Sequence, residues 1–344
     1  MMKRVSSIIA RPLSMIFLIL IIGISSIGCR NYPKGGSDDE IIGIGVMGDS
    51  NSDEYRSNDN RGGKYADTTF SWVELLAQAR DLNFGAWGSW DTPRRDGFEY
   101  NWARSGATTG SMIASGQHTG IAQQVASGKV SHVFIWIGAN DFNIVSGQYQ
   151  EIYDNSLSDA ALQAKVEKII TDMTIAMDTV SQAGDVKIMI ASFNDPGLSP
   201  IAKTQFTDAN KRQRVTNAIQ AVNEGIKIAA AERGISFVDG DAYGLQMMAK
   251  LDDDGFIEFG GEMINVLEQG NEPHHLQLGD HAGHVGTIAS GMFANEIFIK
   301  PFNSAFGTHI KPLSEREILE IAGISRKGSL RQTYFPILGF YFIR

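Results

Sequence analysis

Ile41-Ile42-Gly43-Ile44-Gly45-Val46-Met47-Gly48-Asp49-Ser50 reads as a short apolar strand that ends in a Gly-Asp-Ser turn. No charge falls between residues 41 and 48, so the strand is expected to be buried on both faces. Strands of that kind belong to parallel sheets covered by helices. In an open α/β sheet the turn after such a strand is where ligands meet the protein. A serine there, followed by the small polar residues Asn51 and Ser52, has an exposed hydroxyl beside free backbone N–H groups. Nucleophilic chemistry needs both. Gly, Asp and Ser are also common turn formers, so the triplet acquires meaning only with partners elsewhere in the chain.

The rest of the chain repeats the alternation. Apolar runs at 132–137 (His-Val-Phe-Ile-Trp-Ile), 186–192 and 235–239, with a further one near 98–103, are separated by stretches with apolar residues at three- and four-residue spacing. That spacing predicts helices at 70–82, 119–127, 159–183, 208–233 and 286–300. Strands alternating with helices imply a three-layer α/β/α sandwich around a mostly parallel central sheet. Residues 51–97 interrupt the rhythm as an insert, with Asn58-Asp59-Asn60-Arg61-Gly62-Gly63 in its first part and Trp87, Trp90, Arg94 and Arg95 in its second. It follows the first strand on the ligand side of the sheet. Trp72 sits in a helical pattern beside Val73, Leu75 and Leu76 and reads as core, whereas Trp87 and Trp90 lie in a Gly-rich loop. These two, with Arg94 and Arg95, are the candidate substrate-binding residues, the rings being suited to stacking on a sugar.

Gly43-Ile44-Gly45-Val46-Met47-Gly48 also matches G-x-G-x-x-G, the dinucleotide-binding fingerprint. That motif needs a complete strand before it and a helix opening within it, so that pyrophosphate meets the helix N-terminus. Here the polar Ser37-Asp38-Asp39-Glu40 precedes it, and residues 49–63 are too rich in Gly and Asn to open a helix. The glycines are better assigned to the strand, where they allow a neighbouring element to pack closely.

The N-terminus carries Lys3, Arg4 and Arg11, then an apolar stretch at 15–24, then Ser25-Ser26-Ile27-Gly28-Cys29. This is the pattern of a bacterial export signal over residues 1–28. Gly28-Cys29 resembles a lipobox, in which Cys29 becomes the lipidated first residue, with 29–40 as anchor and tether; Ser26 stands where leucine is usual, so simple secretion is the alternative. Cys29 is the only cysteine, and no intramolecular disulfide can form. Removal of residues 1–28 takes away three positive charges, moving the formal charge from −9 to −12. An acidic surface disfavours nucleic acid as a partner. The expected protein is exported and attached to a bacterial membrane through its lipid anchor, at the periplasmic or outer face.

Gly48-Asp49-Ser50-Asn51-Ser52 resembles the first sequence block of the SGNH, or GDSL, hydrolases. Asn101-Trp102-Ala103-Arg104-Ser105-Gly106-Ala107-Thr108-Thr109 resembles the second, Gly138-Ala139-Asn140-Asp141 the third, and His284-Val285-Gly286-Thr287, with Gly291, Ala294 and Asn295 beyond it, the last. The order is preserved, and the resemblance spans residues 41–323, followed by a C-terminal tail at 324–344. It implies a serine esterase or acylhydrolase without a cofactor. Ser50 would be the nucleophile and His284 the base that takes its proton and returns it to the leaving alcohol. The backbone N–H groups of Ser50 and Gly106 and the side-chain amide of Asn140 would form the oxyanion hole. Together with the export signal and the insert, this points to acyl esters, acetyl first, on a small molecule or polysaccharide. A lipase or acyltransferase of the same fold, and a glycan-binding lipoprotein that has lost catalysis, are the alternatives.

The family places an aspartate three residues before its histidine, but that position is His281, and Asp280 lies four before His284. Either Asp280 still reaches the imidazole, or a Ser-His dyad operates, or His281 is the base; Asp280 with His284 is the expectation, because the residues after His284 keep the family register. His274, His275, His281 and His284 with Glu272 and Asp280 do not have the spacing of a metal site, and no metal is expected. The tail ends Tyr334-Phe335-Pro336-Ile337-Leu338-Gly339-Phe340-Tyr341-Phe342-Ile343-Arg344, which Pro336 and Gly339 keep from being a helix.

Overall fold

The computed structural model describes residues 40–58, 61–92, 94–280 and 283–325. The export signal, Cys29, almost all of the tether, His281 and the tail from 326 onward lie outside the described residues. In chain order the strands are β1 (Ile44–Gly48), β2 (Trp87–Ser89), β3 (Asp96–Phe98), β4 (His132–Trp136), β5 (Lys187–Ala191), β6 (Ser236–Val238), β7 (Phe256–Phe259), β8 (Glu262–Gln269) and β9 (His275–Gln277).

The apolar runs form one parallel sheet in the order β1-β4-β5-β6. Its register sets Gly48 beside Trp136, so the turns after β1 and β4 emerge together at the carboxyl edge. Successive side chains alternate between the faces, and each face builds its own core. Met47, Val133, Ile135, Ile188 and Ile190 pack with the helices Gln117–Ala126, Asp159–Ser181 and Ala209–Glu232. Ile44, Val46, Phe134, Trp136, Met189 and Ala191 pack on the other face with the helices Trp72–Arg80, Thr287–Phe293 and Glu315–Ile321. The expected three-layer sandwich is therefore the observed fold. Gly45 serves helix-on-sheet packing, since a Cβ there would stand 2.8 Å from Ile121 Cδ1. Only the four-residue helix Tyr55–Asn58 follows the turn, so the glycine triplet has no helix N-terminus to offer a dinucleotide.

The expected strand near 98–103 is reduced to a single bridge, Val46 to Asn101. Even so, Trp102 N donates to Val46 O at 2.8 Å and Arg104 N to Gly48 O at 3.0 Å, so residues 100–104 run parallel along β1. This delivers Ser105 and Gly106 to the same edge as Ser50. The helix expected at 286–300 continues to Phe306 through a π-helical stretch, Ala294–Ile299. The wider π turn lies just before Pro301, which lacks an N–H and would crowd the carbonyl four residues back in a regular helix.

Two small sheets were not anticipated. β2 and β3 form an antiparallel hairpin inside the insert. β7, β8 and β9 form a three-stranded sheet, β8 antiparallel to β7 and parallel to β9. A bridge from Gln277 to Val285 extends it, with Leu278 N donating to His284 O at 2.8 Å and Gly286 N to Leu276 O at 2.9 Å. His284 thus stands on a hydrogen-bonded ribbon at the start of the helix Thr287–Phe293.

Candidate active site

After Gly48 the chain turns sharply. Asp49 O accepts from Ser52 N at 3.1 Å and Asp53 N at 3.0 Å, and Asp49 Oδ1 accepts from Asn51 N at 3.0 Å. Gln117, fully buried, holds the strand end from below: its Oε1 accepts from Gly48 N at 3.1 Å and its Nε2 donates to Gly48 O at 3.3 Å. Trp72 Nε1 donates to Ser52 Oγ at 3.0 Å, tying the turn to one of the two cores. Ser50 is thereby held from both sides of the sheet.

The loops that carry the expected oxyanion donors are tied together. Asn140 Nδ2 donates to Ala107 O at 3.0 Å, and its Oδ1 accepts from Asn143 Nδ2 at 2.9 Å, which fixes the orientation of the amide and leaves its second N–H to serve a ligand. The buried Asp141 carboxylate accepts from Thr109 N at 2.9 Å and Thr109 Oγ1 at 3.1 Å, binding the two loops together. Gly106 has φ +79°, a conformation costly for a residue with Cβ, and the space a Cβ would take is open. Among the described residues neither the Ser50 nor the Gly106 backbone N–H has a protein acceptor. Donors kept without a partner at a cleft are what a developing oxyanion requires.

Asp280 Oδ2 is in hydrogen-bond contact with His284 Nδ1, so the four-residue spacing does bring the carboxylate to the ring. With Nδ1 engaged, Nε2 is the nitrogen left to exchange a proton. Ser50, Asn140 and His284 all line one cleft of about 570 Å³, a size typical of small-molecule sites. Among the described residues no group of histidine, cysteine, aspartate or glutamate could hold a metal ion.

The insert does something other than expected. None of Trp87, Trp90, Arg94 and Arg95 lines the cleft. Trp87 packs edge-on to Phe98 with ring centroids 5.1 Å apart and lies under the Arg56 guanidinium. Trp90 donates to Gly97 O at 2.9 Å, Arg94 is sandwiched between Trp90 and Trp102, and Arg95 bonds to Asp53. Each group has a partner within the fold, although Trp87 remains 40% exposed. Asp53, Arg61 and Gln117, which the sequence reading passed over, instead touch the nucleophile turn or its neighbour Ser105.

The sequence profile of the GDSL-like lipase/acylhydrolase family matches residues 44–257. The chain belongs to this family. It is a carboxylic ester hydrolase, and the matched span carries Ser50, Gly106 and Asn140 but ends before Asp280 and His284. No curated protein sequence matches it significantly. Solved structures similar to this member of the family include an acetylxylan esterase from Geobacillus stearothermophilus, 15% identical with a TM-score of 0.42 over 78% of this chain and 98% of that one. An extracellular lipase from Streptomyces rimosus is 17% identical, TM-score 0.40, covering 76% and 98% respectively. A Clostridium thermocellum family 3 carbohydrate esterase is 19% identical, TM-score 0.35, covering 75% and 94%.

The acid of the Gly-Asp-Ser turn has an unusual proton affinity. Asp49 is 2% exposed, and burial, reinforced by Asp141 and Asp53 and opposed by hydrogen bonds from Asn51, raises its pKa from 3.8 to about 7. The folded protein therefore holds a proton that the unfolded chain releases between those values. By linkage, the stability it contributes is complete below pH 3.8 and is lost as pH rises to about 7. Asp53, raised by burial to about 6, acts in the same sense. Thermal unfolding at pH 5 and pH 8 is expected to show a lower Tm at the higher pH, with a smaller difference in Asp49→Asn. An equal difference in the two proteins contradicts this.

Proposed function

We propose that the protein is an extracytoplasmic serine esterase that removes acyl groups, acetyl first, from carbohydrate. The observation that carries the reading is one cleft holding Ser50, Asn140 and His284 at the carboxyl ends of β1 and β4, with Asp280 on the imidazole. Ser50 Oγ attacks the acyl carbonyl while its proton passes to His284 Nε2. The carbonyl oxygen becomes an oxyanion facing the N–H groups of Ser50 and Gly106 and the amide of Asn140, each donor contributing about 3–4 kcal/mol to the transition state. Collapse breaks the ester C–O bond, and imidazolium protonates the departing alkoxide. Water, deprotonated by the same nitrogen, then attacks the acyl-serine; the Oγ–acyl bond breaks, the carboxylic acid leaves, and imidazolium returns its proton to Ser50 Oγ.

Side-chain amides of Asn143, Gln205, Gln269 and Gln277 on the cleft wall suit the hydroxyls of a sugar. A second reading, a longer acyl chain, is favoured by apolar residues of the same cleft, Leu198, Met248 and Val266 with the exposed Val145 and Leu245. The export reading is supported by Lys3, Arg4, Arg11, the apolar stretch 15–24 and Gly28-Cys29. Fractionated cells assayed with p-nitrophenyl esters from acetate to decanoate test all three points. The expected result is activity in the envelope fraction, highest on acetate, together with acetate release from acetylated polysaccharide. An optimum at eight or more carbons replaces the carbohydrate reading with the lipase one, and activity confined to the cytoplasm removes export.

A further inference from the structure

Arg61 reaches the site from the insert with its side chain only 4% exposed. Its Nη2 donates to Ser105 Oγ at 2.7 Å, its Nη1 to the Ser50 carbonyl at 3.4 Å, and its Nε lies 4.0 Å from Asp280 Oδ2. One guanidinium thus touches the nucleophile turn, the loop that carries Gly106 and the acid partner of His284. A buried cation is tolerated only where charge and hydrogen bonds compensate it. Asp53, whose carboxylate interacts electrostatically with Arg61, accepts from Ser105 N at 2.7 Å and also binds Arg95. The N–H and the hydroxyl of Ser105 are therefore held by charged partners directly before Gly106. The ring of Tyr55, 4.8 Å from the Arg61 guanidinium, supports the fork from one side.

We propose that Arg61 is a positioning residue that fixes the Gly106 amide and the Asp280–His284 pair relative to Ser50. The inference rests on the serine-esterase reading and deepens it. A planar fork donates to Ser105 Oγ and the Ser50 carbonyl at set angles while holding its charge 4.0 Å from Asp280, which the single ammonium of lysine cannot do. Displacing one reacting or stabilising group by about 1 Å is enough to lose roughly 10²-fold in rate.

Arg61→Ala is expected to lower kcat about 10- to 100-fold with KM nearly unchanged, since the cleft wall is untouched. Removing a cation beside Asp280 strengthens the pull of the carboxylate on the imidazolium, so the acid limb of kcat/KM should move to higher pH. Arg61→Lys, which keeps the charge but not the fork, should leave the limb in place while kcat still falls. Guanidine added to Arg61→Ala should restore part of the rate. Wild-type kcat in Arg61→Ala overturns the proposal, as does a loss with neither limb shift nor rescue, which marks a merely structural residue. Should Arg61→Ala fail to fold, Arg61→Lys and Ser105→Ala decide: reduced kcat at constant KM in both supports the clamp, and wild-type kcat in both or in either overturns it. Fluorophosphonate labelling of wild-type Ser50 separates the two levels, because absence of labelling defeats the esterase reading whatever Arg61 does.

Discussion

Ser50→Ala is expected to lower kcat by about 10⁵- to 10⁶-fold while leaving KM and the fold nearly as they are. The alanine methyl has no proton to give and no lone pair to attack with, so the covalent route closes. The N–H groups of residue 50 and Gly106 and the amide of Asn140 remain, and the residual rate should stay above that in water by the contribution of binding and oxyanion stabilisation alone. Stability should change little, because Ser50 lies on the wall of an open cleft, where the lost oxygen creates no sealed cavity. Combining Ser50→Ala with His284→Ala should cost no more than Ser50→Ala does, since the two residues act as a unit. The measurement is ester turnover with the folded state checked by circular dichroism. Turnover within tenfold of wild type, with protein free of contaminating esterase, sinks the assignment of Ser50 as nucleophile.

What the sequence disclosed follows from burial. The runs that became β1, β4 and β5 are almost wholly buried, so apolar continuity marked them and their turns without help from context, whereas the sheet-edge strand β6 is only partly buried. Residues 100–104 were harder, because Asn101 gives its side chain to its surroundings, its Nδ2 donating to Ser52 O at 2.7 Å and its Oδ1 accepting from Ala103 N at 3.1 Å, in place of a regular ladder. β8 was missed for a different reason. Met263 and Leu267 are exposed while Ile264 and Val266 are buried, so apolar residues occupy both parities and the two-residue period is erased. Its turn was readable: Gly260 and Gly261, φ +61° and +84°, form the two-residue hairpin loop that such a pair favours. The insert misled because arginine and tryptophan suit a sugar and a folded hairpin equally well. Only the partners, Phe98, Gly97, Trp102 and Asp53, distinguish the two uses, and these are tertiary contacts that spacing does not encode.

Asp280→Asn is expected to lower kcat by about 10²- to 10³-fold, less than removal of Ser50 or His284. In the proposed mechanism the carboxylate holds His284 in the tautomer with the proton on Nδ1, leaving Nε2 to accept from Ser50, and stabilises the imidazolium formed as the proton moves. Asparagine keeps the size but presents an uncharged oxygen or an N–H donor, and the donor favours the wrong tautomer. A fully buried aspartate in this role is worth about 10⁴-fold. Asp280 is 31% exposed and has Arg61 Nε 4.0 Å away, so solvent and a neighbouring cation already offset part of its field, and the smaller loss follows. The substitution also resolves the register shift in the last block. His281→Ala should retain at least about half of wild-type kcat, because His284 shares the cleft with Ser50 and contacts Asp280. If Asp280→Asn is fully active and His281→Ala is not, His281 is the base and the loop closes on the other histidine; if both are fully active while His284→Ala is inert, the enzyme works as a Ser50–His284 dyad.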